Sequence, residues 1–276
     1  PPPPPPIFFY TPTPPNQMLR SLVGSEMCIR DRNIWFPILT KAIFVFIARG
    51  FLMFLRILTI ALFAGFIAGV ISAVMQMIFL QPILLHAELY EAGNLTHFGN
   101  SMVSGSHLIP TFDFQRNALN VLFSALIYTG YALILTSLFS YASSLNLKID
   151  NVRAILFGIC GFVTVQLSPA FGLPPELPGV AAAELIPRQI WWFFCVISTG
   201  LGFWIIAFGG NLIFIMVGVI LILLPHIIGA PQPLMFIGPT PPELASHFAS
   251  RALTIGLVTW SCLGISIGYF WRKEDF

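Results

Sequence analysis

The residues of this sequence that could do chemistry are a few histidines and carboxylates at the ends of long apolar stretches. His226 follows Pro225 at the end of one uncharged stretch. An ionisable side chain in such a place is by default a functional candidate, and imidazole suits several divalent transition metals. The alternative is a structural histidine that bonds a backbone carbonyl loosened by Pro225.

Glu176 lies in a segment that is stiffened by prolines, Gly172-Leu-Pro-Pro-Glu-Leu-Pro-Gly179. No Ser or Thr stands three residues before it, so a capping box does not explain this carboxylate. A carboxylate on an apolar segment is costly unless something pairs with it. We therefore expect Glu176 to bind a metal ion together with His226, helped by Glu88, and to be held by Arg188 when no metal is bound.

Two further carboxylates, Glu88 and Glu91, follow the first long apolar stretch and Pro82. If a helix resumes after the proline, residues three apart share one face. The pair would then attract a divalent cation at the end of the stretch. The alternative is that both belong to a solvated, amphipathic extension of the helix.

Glu243 and His247 begin the last apolar stretch. Thr240-Pro-Pro-Glu243 matches a capping box with proline at the first helical position, which favours a structural role for Glu243. His247 lies four residues further on, and a Glu–His pair at this spacing on a helix could also chelate a metal.

Several motifs of enzymes are absent from the sequence. It contains no phosphate-binding loop, no nucleophile elbow, no His-Glu-x-x-His and no Cys-x-x-Cys. Ser168 has no base beside it in the sequence, and three cysteines in apolar stretches are interpreted as packed thiols. We therefore predict no enzyme, no ATP site in this chain and no bound cofactor.

The elements that position these residues are transmembrane helices. Of 276 residues, 57% are hydrophobic and only 9% are charged, far below the quarter that is usual in soluble proteins. The net charge of +2 excludes a nucleic-acid-binding surface. Stretches of about 20 apolar residues predict an all-α, polytopic membrane helix bundle with six segments, or five if one is re-entrant. The six are 57–80, 118–140, 153–171, 190–208, 212–229 and 252–271.

Small residues recur every four positions in the first and last of these segments. Gly65 and Gly69 form part of one such stripe, and Gly264 and Gly268 form another. Such stripes let helix backbones approach closely within a bilayer, so we expect a packing role for these glycines.

Residues 1–52 differ in composition from the rest of the chain. Pro1 to Pro6 open the chain, and residues 21–32 resemble translated sequencing-adaptor DNA. We interpret 1–52 as a non-native or disordered extension and 53–276 as a single transmembrane domain that starts at Met53.

Three blocks of the sequence resemble the CbtA-type cobalt transporter subunits: Leu167-Ser-Pro-Ala-Phe-Gly-Leu-Pro-Pro-Glu-Leu-Pro-Gly179, Arg188-Gln-Ile-Trp-Trp192 and Pro225-His-Ile-Ile-Gly-Ala-Pro231. The resemblance implies uptake of cobalt(II) as the transported ion, linked to cobalamin synthesis. It also implies a companion subunit with one span and terminal histidines. The alternative is a non-transporting scaffold that assembles partner helices in the lipid bilayer.

The distribution of Lys and Arg predicts the orientation of the chain. Five of these residues lie on one side of a six-span topology and three on the other; the five are Arg56, Lys148, Arg153, Arg272 and Lys273. The side richer in Lys and Arg is cytoplasmic, so both termini should face the cytoplasm of a bacterial inner membrane. All five histidines then lie on or near the outer side.

This orientation can be tested at residue 100, in the long segment 86–117 that is expected outside. In a background without other cysteines, Asn100→Cys should react with a membrane-impermeant thiol reagent added to intact cells. Labelling only after the inner membrane is permeabilised would contradict the predicted orientation.

Overall fold

The computed structural model describes the backbone of residues 17–95 and 113–273, with side chains from residue 44 onward except residue 46. Asn100 and two of the histidines, His97 and His107, lie outside these ranges. The chain divides into two units, residues 1–55 and 56–276. The described part of the first unit is helical, and its origin as a non-native extension stays a prediction.

The described residues form helices joined by loops, without a β-strand. The helices are α1 (Gln17–Met75), α2 (Gln81–Glu91), α3 (Phe114–Ser144), α4 (Asn151–Phe162), α5 (Ser168–Ala170), α6 (Leu185–Phe208), α7 (Leu212–Ile228) and α8 (Pro242–Lys273). Two π-helical turns, Gln76–Leu80 and Val163–Leu167, join α1 to α2 and α4 to α5 without a break in the helical path.

Five of the resulting helical segments are long and apolar enough to cross a membrane: Ile47–Glu91, Phe114–Ser144, Asn151–Ala170, Leu185–Phe208 and Pro242–Lys273. The sixth segment predicted from the sequence is α7, which has 17 residues and is therefore shorter than the usual membrane-spanning length. The prediction of an all-α, multi-pass membrane protein is confirmed.

The short connection between α6 and α7 forms a tight hairpin. Gly210 adopts a φ of 72°, a backbone conformation that glycine adopts without steric cost. The side chain of Asn211 then caps α7 by accepting a hydrogen bond from the backbone N–H of Phe214 at 3.1 Å. Further along the hairpin, Gly202 and Gly218 let the two helix backbones approach each other closely.

The glycines of the two predicted stripes lie at helix crossings. A Cβ atom added at Gly65 or Gly69 would overlap the backbone of Thr129 or Ala125 in α3. A Cβ atom added at Gly264 would overlap the carbonyl of Ala154 in α4, and one at Gly268 would overlap the Ala154 side chain. Helices in a bilayer associate mainly through such close packing, because lipid is as apolar as the helix surface.

The loops 171–184 and 229–241 pack against each other at one end of the bundle, which we call the long-loop end. The backbone N–H of Ala181 donates to the carbonyl of Ile237 at 3.1 Å. Leu177 is buried against Ile83 and Ala87 of α2. These contacts fix the loop that carries Glu176 relative to the helices beneath it.

The glycine contacts predict a difference between two Gly→Ala variants. Gly69→Ala should lower the free energy of unfolding by about 1–3 kcal/mol, as overpacking does elsewhere. Gly130→Ala in α3 is the matched control, because nothing lies within 4 Å of a Cβ at that position. Thermal unfolding in detergent measures both, and equal stability of the two variants would contradict the close α1–α3 contact.

Candidate functional site

A proline near the end of α7 determines where His226 lies. Pro225 has no N–H to donate to the carbonyl of Leu221, four residues earlier. The hydroxyl of Ser198 in α6 donates to that carbonyl instead. The indole N–H of Trp191 donates to the Pro225 carbonyl at 3.2 Å. These two bonds hold the last turn of α7, immediately before His226, against α6.

The imidazole of His226 contacts the hydroxyl of Ser168, which in turn contacts two polar side chains of α6. Its Nε2 lies 3.1 Å from the hydroxyl oxygen of Ser168. That oxygen also lies 2.9 Å from Oγ1 of Thr199 and 3.3 Å from Sγ of Cys195. Ser168 therefore does have a base beside it, contrary to the expectation from the sequence, because the fold joins positions 58 residues apart.

His226 and Ser168 line a cavity of about 550 Å³. The lining extends to Gly172, Ala230 and Gln232 in the loops, so the cavity connects the long-loop end with the polar side chains between the helices. The sequence left open that His226 bonds a backbone carbonyl near Pro225. In the structure, Ser198 and Trp191 donate the hydrogen bonds to those carbonyls, and the imidazole of His226 bonds to Ser168.

Glu176 and Arg188 form an ion pair at the rim of a different cavity. Nη2 of Arg188 lies 2.7 Å from Oε2 of Glu176, and the two side chains are 27% and 29% exposed. Both residues line a cavity of about 620 Å³, together with Trp192 and with Gln166 of the π-helical turn.

The structure does not bring His226, Glu176 and Glu88 together. Glu88 pairs instead with Arg116 at 3.6 Å, where both side chains are more than 40% exposed. Glu91 is exposed and lies beside Gly179 of the 171–184 loop. Within residues 17–95 and 113–273, no group of three or more His, Cys, Asp or Glu side chains could hold a metal ion. The joint site expected from the sequence is thus not formed by these carboxylates, because each has a different neighbour.

Glu243 and His247 are exposed in the first turns of α8. The predicted capping box is not formed: the helix begins at Pro242, one residue later than the box requires. The hydroxyl of Thr240 instead donates to the carbonyl of Pro178 at 3.3 Å. Glu243 still lies in the first turn, where a negative charge interacts favourably with the helix dipole.

Neutral polar side chains form a ladder inside the bundle that no sequence motif predicted. At the long-loop end, Gln81 donates to Asn117 at 3.2 Å. Further in, Gln76 of the first π-helical turn donates to Ser72 at 3.0 Å and contacts Ser124 at 3.5 Å. These bonds join the α1–α2 path to α3 through side chains that carry no charge.

The ladder continues to the second π-helical turn. The Tyr128 hydroxyl lies near the polar side chains of Ser72, Thr259 and Gln166. Oε1 of Gln166 is buried without a hydrogen-bond partner, in a space that a Cβ atom at Gly256 would fill. The sequence signal for this feature is a glutamine shortly before a proline in both segments, Gln76 before Pro82 and Gln166 before Pro169. π-Helical turns are common at functional sites.

One family model matches the chain: residues 54–272 match the family described as "Probable cobalt transporter subunit (CbtA)". No match to the chain was found among curated proteins or among solved structures. The matched range contains α2 to α7, all but the last residue of α8, both cavities and the polar ladder.

The two ion pairs at the long-loop end should differ in strength. A double-mutant cycle with Glu176→Gln and Arg188→Gln should give a coupling of about 1 kcal/mol, because the pair is close and half-buried. The same cycle at Glu88 and Arg116 is the control and should give less than about 0.5 kcal/mol, as is usual for exposed pairs. Thermal unfolding of the four variants in each cycle measures this, and equal couplings would contradict the structure.

Proposed function

The chain belongs to the CbtA family of cobalt transporter subunits, and on this premise we propose that it takes up cobalt(II) for cobalamin synthesis. The matched range covers most of the chain, and the five long apolar helices are those of a multi-pass membrane protein. The transported ion is a substrate and not a resident cofactor.

The observation that carries the proposal is the placement of His226. Its imidazole lines a cavity that extends from the loops toward neutral polar side chains between α5, α6 and α7. A neutral imidazole nitrogen is a good ligand for cobalt(II) and related ions. A cation that enters this cavity can exchange part of its hydration shell for protein ligands.

The carboxylates at the long-loop end support the proposal through their charge. Glu88 and Glu91 lie in α2, and Glu176 is held by Arg188 on the adjoining loop. Negative charge around an opening raises the local concentration of cations. His247 is exposed on α8 and can serve as a transient ligand at the same end. In this proposal these residues collect the ion and His226 binds it.

The neutral polar ladder supports passage through the bundle. A divalent ion surrounded by hydrocarbon alone would face a very large desolvation cost. Amide and hydroxyl groups such as those of Gln76, Tyr128 and Gln166 lower that cost without binding the ion tightly. Conduction requires this balance, since a site that holds an ion too strongly does not release it.

The remaining parts of the proposal concern the assembly. The excess of Lys and Arg at the end opposite the long loops supports cytoplasmic termini in a bacterial inner membrane. The sequence has no phosphate-binding loop, so ATP hydrolysis at a Walker-type site of this chain does not supply the energy for uptake. A short single-span subunit that carries histidines is the proposed companion.

Uptake of radioactive cobalt tests the proposal in cells that lack other cobalt importers, with and without the companion subunit. The wild-type protein should raise uptake, and His226→Ala should lower it by about tenfold or more, since even the loss of a residue that orients a metal ligand costs about 10–100-fold elsewhere. The control is His86→Ala, because His86 is exposed and contacts the ring of Tyr90.

Expression and thermal unfolding of both variants are measured alongside uptake. Full uptake by a folded His226→Ala protein would show that His226 has a structural role only. A scaffold that does not transport would raise no uptake in any variant.

A further inference from the structure

We propose that Cys195 and His226, with the hydroxyl of Ser168 between them, form an intramembrane site for a transition-metal ion. The inference rests on the proposed function and deepens it, because it names the ligands that the transported ion meets inside the bundle. Cobalt(II) is the ion that the family relationship makes relevant.

The geometry of the site comes from three helices. Ser168 lies in α5, His226 in α7, and Cys195 lies in α6 with Thr199 four residues later on the same face. The Ser168 hydroxyl oxygen is 3.1 Å from Nε2 of His226, 3.3 Å from Sγ of Cys195 and 2.9 Å from Oγ1 of Thr199. The Ser168 oxygen therefore has a nitrogen, a sulfur and another oxygen donor as its neighbours.

The site lies deep in the protein but is connected to the cavity. Cys195 and Thr199 are 0% exposed and Ser168 is 4% exposed. Cys195 is ten residues from Leu185, the start of α6, which corresponds to about 15 Å along the helix axis. His226 is less buried and lines the cavity with Ser168. An ion in the cavity would thus meet the imidazole and the Ser168 hydroxyl before it reaches the sulfur.

The surroundings of Cys195 differ from those of the other cysteines. In the part of the chain that the structure describes, Cys160 and Cys262 are half-buried and their thiols make no side-chain hydrogen bond, as expected of thiols that pack as small apolar groups. Sγ of Cys195 instead contacts a hydroxyl that is shared with an imidazole. Packing alone does not require this placement.

The distances describe donors that gather around the Ser168 hydroxyl when no metal is bound. Zinc, a comparable first-row ion, has bonds of about 2.0–2.1 Å to histidine nitrogen and about 2.3 Å to cysteine sulfur. An ion bound beside the Ser168 oxygen would require shifts of the Cys195 and His226 side chains towards it, and the Ser168 oxygen would then serve as a third ligand.

Binding at this site involves proton release and no redox change. The S–H bond of Cys195 breaks, a bond between sulfur and cobalt(II) forms, and the proton passes to water in the cavity. Only two strong ligands are present, and hydroxyl or water oxygens complete the coordination. Such a site binds an ion firmly enough to remove it from water and weakly enough to pass it on.

The test uses the purified full chain in detergent, titrated with cobalt(II) chloride under reducing conditions. Bonding of sulfur to cobalt produces an intense near-ultraviolet charge-transfer band in addition to the visible d–d bands. The wild-type protein should show this band at about one cobalt per chain, and Cys195→Ser should lose it. Cys160→Ser is the matched control, because it makes the same change in a neighbouring helix, and it should keep the band. His226→Ala should weaken cobalt binding by about tenfold or more.

A second measurement uses only the wild-type protein, in case Cys195→Ser does not fold. X-ray absorption at the cobalt edge should show a sulfur neighbour at about 2.3 Å, as in comparable metal–thiolate bonds. A cobalt coordination sphere with nitrogen and oxygen alone, no binding of cobalt, or an unchanged band in folded Cys195→Ser would each overturn the site.

These outcomes are distinct from failure of the transport function. Cellular uptake that persists in folded Cys195→Ser while purified protein lacks the band would overturn this site and leave the uptake role standing. A charge-transfer band in a protein that raises no cellular uptake would establish the site and contradict transport.

Discussion

Close contact between helix backbones is the constraint on which the rest of this structure depends. Lipid surrounds the bundle with a solvent as apolar as the helices themselves, so burial of apolar surface contributes little to their association. Glycines at the crossings supply the contact instead, at Gly69 against α3, at Gly264 against α4 and at Gly202 against α7. The cavities and the polar side chains occupy the space that these crossings leave.

The second constraint is that backbone carbonyls within a membrane must find donors inside the protein. A proline within an apolar helix creates an exception, and at Pro225 the exception is met by a side chain from another helix. Ser198 donates to the carbonyl that Pro225 leaves without a partner. Arg251 of α8 donates at 3.0 Å to the carbonyl of Phe79, in the π-helical turn before Pro82. The bond from Ser198 thereby also holds the turn that precedes His226.

Charge and polarity are divided along the molecule in a way that suits cation transport. The carboxylates of Glu88, Glu91 and Glu176 lie at the long-loop end, and the polar ladder inside the bundle is neutral. In the proposed function, an ion would be attracted at the surface and meet weaker ligands within. The His226 cavity and the Glu176 cavity are separate openings at this end, and the first leads to side chains that include a thiol.

The sequence by itself determined the membrane bundle and the approximate positions of its five long helices and of the shorter α7, because hydropathy and helix length are local properties of the chain. It also determined the family, through short motifs of neighbouring residues. It also identified His226 and the ion-pairing partners Glu176 and Arg188 as candidates. Only the tertiary structure decided which of them meet. Ser168, Cys195 and His226 are far apart in sequence, and each looks ordinary among its own neighbours. Their convergence depends on helix crossings and on the depth at which each helix ends, and no local pattern encodes these distances.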